Sequence, residues 1–307
     1  MKKISIGICH YPNALKSAVY GLEELFIMAN KVCKEQKIDI HFEPIIFNNT
    51  ELLSQHFSVV LLPPSSQNDY YLNPQIELIE WLKQQHFQGA VIASACAGAF
   101  ILVATGLLEN RSITTHWGLS DVFKKYFPKI SLNTNEILIN HGDVISAGGM
   151  MSWLDLGFEL VEKYSSSLVM RQLGKVLIVD TASRKQGFYQ QFNPLLLHGD
   201  QSISGIQQAM NLAYSKTVSI QALAKQFNLT ERTMQRRFLK ATGYNPNQYL
   251  QRLRIQKACD LLESSNCSFE SISNQVGYAD TSACRKIFTR TMGLTPKEFR
   301  MRFARNS

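Results

Sequence analysis

Cys96 stands among the small residues Ser94, Ala95, Ala97 and Gly98, and His116 follows twenty residues later. A thiol at a turn from strand to helix sits near the positive end of the helix dipole, which favours thiolate, and an imidazole within reach can take or return a proton. Three readings of this pair stay open: a ligand-pocket or redox role, covalent turnover, or a small buried thiol with a hydrogen-bonded core histidine. A second group of residues carries different chemistry. Arg232, Arg236, Arg237 and Lys240 in one stretch, and Arg285, Lys286 and Arg290 in another, cluster on single predicted helices, where cations suit a polyanion.

The elements that must position the cations form a duplication. A helix over 220–227, a turn at Asn228 and Leu229 and a helix over 231–240 recur as a helix over 269–276, a turn at Gly277 and Tyr278 and a helix over 282–291. The matched positions Phe238/Phe288, Gly243/Gly293, Pro246/Pro296, Tyr249/Phe299 and Arg252/Arg302 all differ by fifty, a periodicity that chance does not readily supply. Asn and Gly accept the left-handed backbone of a sharp interhelical turn. Thr230 and Ser282 are expected to cap the helices that follow. Leu223, Phe227, Met234 and Phe238 mark an apolar face at helical spacing. Residues 246–264 read as one connecting helix that starts at Pro246. Such a spacer can hold two recognition helices about 34 Å apart, one turn of duplex, so that one chain spans two successive major grooves.

Charge follows the same division. Of 32 Lys+Arg and 24 Asp+Glu, residues 1–200 hold 16 basic and 18 acidic, whereas residues 201–307 hold 16 basic and 6 acidic. The excess lies in the duplicated region alone.

The first two hundred residues exceed what can share that core and read as a separate domain. Short β-rich runs at 3–8, 38–42, 57–62 and 89–93 alternate with helical stretches at 18–31 and 74–85, which predicts a mainly parallel sheet covered on both faces. Residues 89–108 lack charge over twenty positions, but a strand, a tight turn at Cys96 and a short helix ending near Gly106 account for them better than a membrane span. The opening Met1, Lys2 and Lys3 lead into a strand rather than a signal peptide. Six cysteines, at 9, 33, 96, 259, 267 and 284, show neither metal-ligand spacing nor a secreted disulfide framework, so a cytoplasmic location without metal or cofactor is expected. Residues 184–203, with Gly, Pro and clustered Gln, read as a linker packed against a domain.

Residues 254–262, 271–278 and 288–300 carry a pattern that closely resembles the AraC/XylS family of transcriptional regulators, over about residues 206–304. The resemblance implies base-edge contacts from Arg232, Gln235 and Arg236 in the first unit and from Thr281, Ser282, Arg285 and Lys286 in the second. Arg suits guanine O6/N7 and Gln suits adenine N6/N7, whereas Thr230 and Lys240 suit phosphate, or only cap and solvate.

Cys96, His116 and the stretches 18–26, 146–150 and 155–161 resemble the PfpI-type, class I glutamine amidotransferase-like family, over about residues 1–185. Some members are enzymes that use the elbow thiol with His and an acid. Here the position of the acid holds Ala18, with Glu23 and Glu24 one to two turns on, and Ala97 follows Cys96 where protease-like members have His.

Together these imply an α/β chain: a flavodoxin-like parallel-sheet domain over 1–185, a linker over 186–205 and an all-α double helix-turn-helix domain over 206–305. The expected function is sequence-specific regulation of transcription on double-stranded DNA, with a small-molecule effector near Cys96 and His116, a homodimer, no membrane partner and no enzymatic role. The competing expectation is a cysteine-dependent hydrolase or hydratase with a DNA-binding appendage. A third is an architectural DNA-binding protein with an inert dimerisation domain.

Overall fold

The computed structural model describes residues 1–48, 54–67, 70–182, 185–192, 194, 196 and 198–304. The chain separates into two compact units, Met1–Gly187 and Phe188–Ser307. The stretch read as a linker includes Arg184, Asn193, Leu195 and Leu197, which lie outside the described residues.

The first unit runs β1 (Lys2–His10), α1 (Lys16–Glu35), β2 (Ile40–Asn48), β3 (Val59–Leu62), α2 (Ile76–Phe87), β4 (Val91–Ala95), α3 (Gly98–Ala104), β5 (Ser112–Ile113), α4 (Ser120–Tyr126), β6 (Ser131–Leu132), β7 (Leu138–Asn140), β8 (Val144–Ala147), α5 (Trp153–Tyr164) and α6 (Ser167–Leu177). Six strands form one sheet in the order β2-β1-β3-β4-β8-β7. Every neighbouring pair is parallel except β7 with β8.

The sequence dictates this arrangement through its unbroken apolar runs. All residues of β3, β4 and β8 are buried, as strands covered on both faces must be. α1 packs on α5 where side chains are missing: a Cβ at Gly21 would come 2.5 Å from the Trp153 ring, and one at Gly157 would come 2.9 Å from Leu25. The uncharged stretch 89–108 resolves into β4, a turn at Cys96 and the seven-residue α3. Among the described residues no helix is long and apolar enough to cross a membrane.

The second unit is helical: α7 (Gln201–Ala213), α8 (Ile220–Gln226), α9 (Glu231–Thr242), α10 (Pro246–Ser264), α11 (Phe269–Gln275), α12 (Thr281–Met292) and α13 (Pro296–Phe303). It holds two cores, and α10 belongs to both. Tyr249 and Leu253 join Ile206, Met234 and Phe238 in the first; Ile255, Ala258, Cys259 and Leu262 join Ile272, Phe288 and Phe299 in the second.

The fifty-residue repeat is visible as repeated local devices. Gly243 and Gly293 end α9 and α12 in the left-handed conformation, with φ of 74° and 72°. Asn245 with Gln248, then Thr295 with Glu298, form capping boxes around Pro246 and Pro296 at the starts of α10 and α13, each satisfying helix-end N–H groups reciprocally.

One capping expectation is corrected. Thr230 caps α9, accepting from Thr233 N–H at 3.2 Å, but Ser282 is already inside α12. Its N–H donates to Asp280 Oδ1 at 2.8 Å, so the carboxylate immediately before the helix takes the role. Phe227, expected on the apolar face, is only partly buried against the first core.

Candidate functional site

Cys96 closes β4 in a left-handed backbone conformation, φ 52°, at the end of a fully buried strand. Its N–H donates to the Ala147 carbonyl at 2.8 Å, and its carbonyl accepts from Thr115 Oγ1 at 2.7 Å. α3 can start at once because Gly98 has no side chain: a Cβ there would lie 2.3 Å from the Leu62 carbonyl oxygen. This is the elbow geometry expected from the run of small residues.

The environment of the thiol favours its protonated form over the thiolate. It is 2% exposed, and burial pushes its pKa up to about 12 against the opposing pull of the Ala97 and His116 backbone N–H groups. The backbone hydrogen bond from Ala97, at the start of α3, favours the thiolate, but desolvation outweighs it. Position 18, where an assisting acid would stand, is a buried alanine within α1.

What His116 directs at the thiol is its backbone N–H. In the imidazole, Nδ1 accepts from Gly118 N–H at 2.9 Å and the ring lies 5.1 Å from that of Trp117. Burial lowers the pKa of His116. With Nδ1 accepting, the neutral ring carries its proton on Nε2.

Next to this pair sits a residue outside every motif in the sequence. Gln186 Oε1 accepts from Trp117 N–H at 3.0 Å, and Nε2 donates to the carbonyls of Thr115 at 3.0 Å and Thr134 at 3.1 Å. The run 114–117 thus contacts both Cys96 and a buried carboxamide. Nothing but a Gln in a polar stretch marked it, and no pattern distinguishes that Gln from its neighbours.

In the second unit Asn228 and Gly277 make the interhelical turns with φ of 56° and 88°. α9 and α12 then present matched faces. Met234 and Phe238 are buried in the first, Cys284 and Phe288 in the second. Arg232, Gln235 and Arg236 are exposed on α9, and Ser282, Arg285 and Lys286, each fifty residues on, are exposed on α12; Thr281 is half-buried.

Two of these side chains have partners in the free protein. Gln235 Nε2 donates to Glu231 Oε1 at 3.0 Å, and the Arg285 guanidinium lies 5.4 Å from the centre of the Phe269 ring. The exposed group on α9 is bordered by a polar cleft of about 300 Å³ lined by Gln235, Asn245, Asn247, Gln248 and Gln251. The arrangement suits hydrogen bonding along a polar ligand, with cations for phosphate and amides for bases.

Comparison with known proteins bears on both units. The DJ-1/PfpI family model matches residues 26–163, and a helix-turn-helix domain model matches residues 223–302. The HTH-type transcriptional regulator GbdR of Pseudomonas aeruginosa is 21% identical over 225 residues, covering 73% of this chain and 61% of that protein. The chain therefore spans 61% of that relative's length. The HTH-type transcriptional regulator GlxA of Rhizobium meliloti is 24% identical over 222 residues, covering 70% of this chain and 67% of that protein. A solved structure from Vibrio parahaemolyticus, 17% identical with a TM-score of 0.50, covers 57% of this chain and all of its own 100%, and that likeness concerns fold alone.

Proposed function

The chain joins a DJ-1/PfpI-family domain to an AraC-type helix-turn-helix domain, and from that premise we propose that it is a sequence-specific DNA-binding regulator of transcription. The observation that carries the reading is the pair of matched exposed faces on α9 and α12, fifty residues apart and served by one helix, α10. In this reading Arg232, Gln235 and Arg236 read base edges in one major groove and Thr281, Ser282, Arg285 and Lys286 in the next. Residues 1–185 form the sensing domain, 186–205 the connection and 206–305 the DNA reader. The sensing domain binds a small metabolite near Cys96 and His116 and pairs with a second copy of the chain in the cytoplasm. A ligand acts only by preferring one of two states of the protein.

A Cys96-dependent hydrolase or hydratase is not favoured: burial raises the Cys96 thiol to about 12, which disfavours the thiolate, and a buried alanine stands at position 18 where an assisting acid would be. The test is fluorescence anisotropy of the full chain with fragments of its own upstream DNA and a scrambled control, at two salt concentrations. Preference for one fragment that survives higher salt is expected. Equal binding that vanishes with salt would overturn sequence-specific reading.

A further inference from the structure

Gln186 is 2% exposed. Two carbonyls, of Thr115 and Thr134, accept from its nitrogen, Trp117 N–H donates to its oxygen, and Thr114 Oγ1 lies 3.4 Å from the nitrogen. A primary carboxamide meets this set of two acceptors and one donor. A carboxylate has no donors for the carbonyls, and a guanidinium or ammonium has no acceptor for the N–H. Space for the group is kept open by Gly148, where a Cβ would come 2.2 Å from Gln186 Nε2. The cradle is built mostly from backbone, and its occupant comes from the segment that follows the last helix of the unit, tied down again at Gly187, whose N–H donates to the Asn135 carbonyl at 3.1 Å.

The residues that follow the occupant belong to the second unit and pack within it. The Arg302 guanidinium lies 5.4 Å from the Phe188 ring centre and 5.8 Å from that of Tyr189. Tyr189 meets Phe303 edge-on at 5.4 Å. Phe192 meets Tyr249 at 5.1 Å, and its N–H donates to Gln256 Oε1 at 2.8 Å. Residues 188–192 thus fasten to α13 and α10 of the DNA reader, while Gln186, two residues before them, is fastened inside the DJ-1/PfpI-type unit beside His116.

We propose that the Thr115, Trp117 and Thr134 cradle is a recognition site for a primary carboxamide, that Gln186 fills it as a tethered ligand, and that a small molecule bearing the same group displaces Gln186 and so releases Gln186 and Gly187 from the first unit, while residues 188–192 stay fastened to the second. The proposal rests on the reading of the first domain as ligand-responsive, to which it adds the ligand's chemical class and the route of the signal. A tethered group competes at an effective concentration on the order of millimolar. A natural effector therefore adds contacts beyond its amide, and the run 114–117 that carries His116 and Trp117 supplies surface for them.

Chemical rescue tests this directly. Gln186→Ala keeps the Cβ and removes what acetamide replaces. In the full-length chain, hydrogen exchange of the Trp117 and Gly187 backbone amides, which donate to Gln186 Oε1 and to the Asn135 carbonyl, is expected to quicken by at least about tenfold in Gln186→Ala, and to return toward the native rate with acetamide but not with acetate at equal concentration. Unchanged exchange in the variant, or acetamide acting no better than acetate, overturns the proposal. Should Gln186→Ala not fold, Gln186→Glu keeps the shape and loses both donors; it quickens exchange of the Gly187 amide if the carboxamide holds that stretch in the first unit, and equality with the native chain overturns the idea. The readout contains no DNA, so its failure leaves the DNA-binding reading standing, and failure of DNA binding leaves the cradle standing.

Discussion

Asp200 holds Arg237 in a two-pronged grip, Nε to Oδ2 at 2.9 Å and Nη2 to Oδ1 at 2.6 Å, while the same carboxylate caps α7 by accepting from Ile203 N–H. Arg237 lies on α9 among the cations that suggest DNA binding, but this contact makes it part of the scaffold that holds α9 to the start of α7. The hydrogen bond from Arg237 holds the Asp200 carboxyl below the usual carboxylate range. A folded value that is depressed stabilises fully above the unfolded value, about 3.9, and the contribution is lost as pH falls through the folded value. Asp200→Asn is therefore expected to lower the melting temperature at neutral pH, and the difference from the native chain should close as the pH is taken down through that window.

Arg236 and Lys286 occupy equivalent exposed positions on α9 and α12. If both read base edges, replacing either by Ala should cost about 1–3 kcal/mol of binding and relax preference at its own base position, one in each half of the site. Arg237→Ala should instead weaken all sequences alike, in step with lost stability. Binding selections with randomised half-sites distinguish the outcomes, and a uniform loss for Arg236→Ala would assign it to phosphate.

The thiols divide by burial. Cys267 is exposed, whereas Cys9, Cys33, Cys96, Cys259 and Cys284 are buried. Iodoacetamide at neutral pH is expected to label Cys267 in the native chain and Cys96 only once the chain is unfolded, as read by peptide mass spectrometry. Because the folded Cys96 stays protonated up to about 12 while the free thiol ionises near 9.0, its linkage destabilises the fold as pH rises above that lower value. Fast native labelling of Cys96 would restore the nucleophile reading.

What the sequence made legible followed from periodicity. Fixed offsets marked Gly243/Gly293 and Pro246/Pro296, and these became matching helix ends and starts, because cap chemistry depends on a few adjacent residues. Apolar runs marked β3 and β4, because a doubly covered strand needs no alternation. Residue type alone points to Ser282 as a cap, while Asp280, two positions earlier, is the better-placed oxygen. The state of Cys96 was not legible, since desolvation depends on everything packed around the thiol, and a dipole argument weighs only what lies along the chain. Gln186 escaped for the same reason: its partners Thr115, Trp117 and Thr134 are 71, 69 and 52 residues away.

Gly277 offers the sharpest test of whether the two DNA-reading halves act as one body. A Cβ there would come 2.8 Å from the Ser215 carbonyl oxygen and 2.9 Å from that of Tyr214, in a backbone with φ 88°. Arg254 of α10 grips the same stretch, donating to the Tyr214 carbonyl at 2.7 Å and the Lys216 carbonyl at 2.8 Å, and lies 5.3 Å from the Tyr278 ring centre. This stretch ends α7, whose Ile203, Ile206 and Met210 sit in the first core, so the turn of the second half is clamped to a helix of the first. Gly277→Ala is expected to cost about 1–3 kcal/mol from backbone strain and the close approach, whereas Asn228→Gly, at the equivalent turn, relieves a left-handed Asn and should change stability by less than about 1 kcal/mol. Urea unfolding of the full chain measures both. If the clamp fixes the spacing of α9 and α12, Gly277→Ala should also weaken binding to a two-half-site duplex more than to a single half-site. Equal losses on both duplexes would mean that α10 alone sets the spacing.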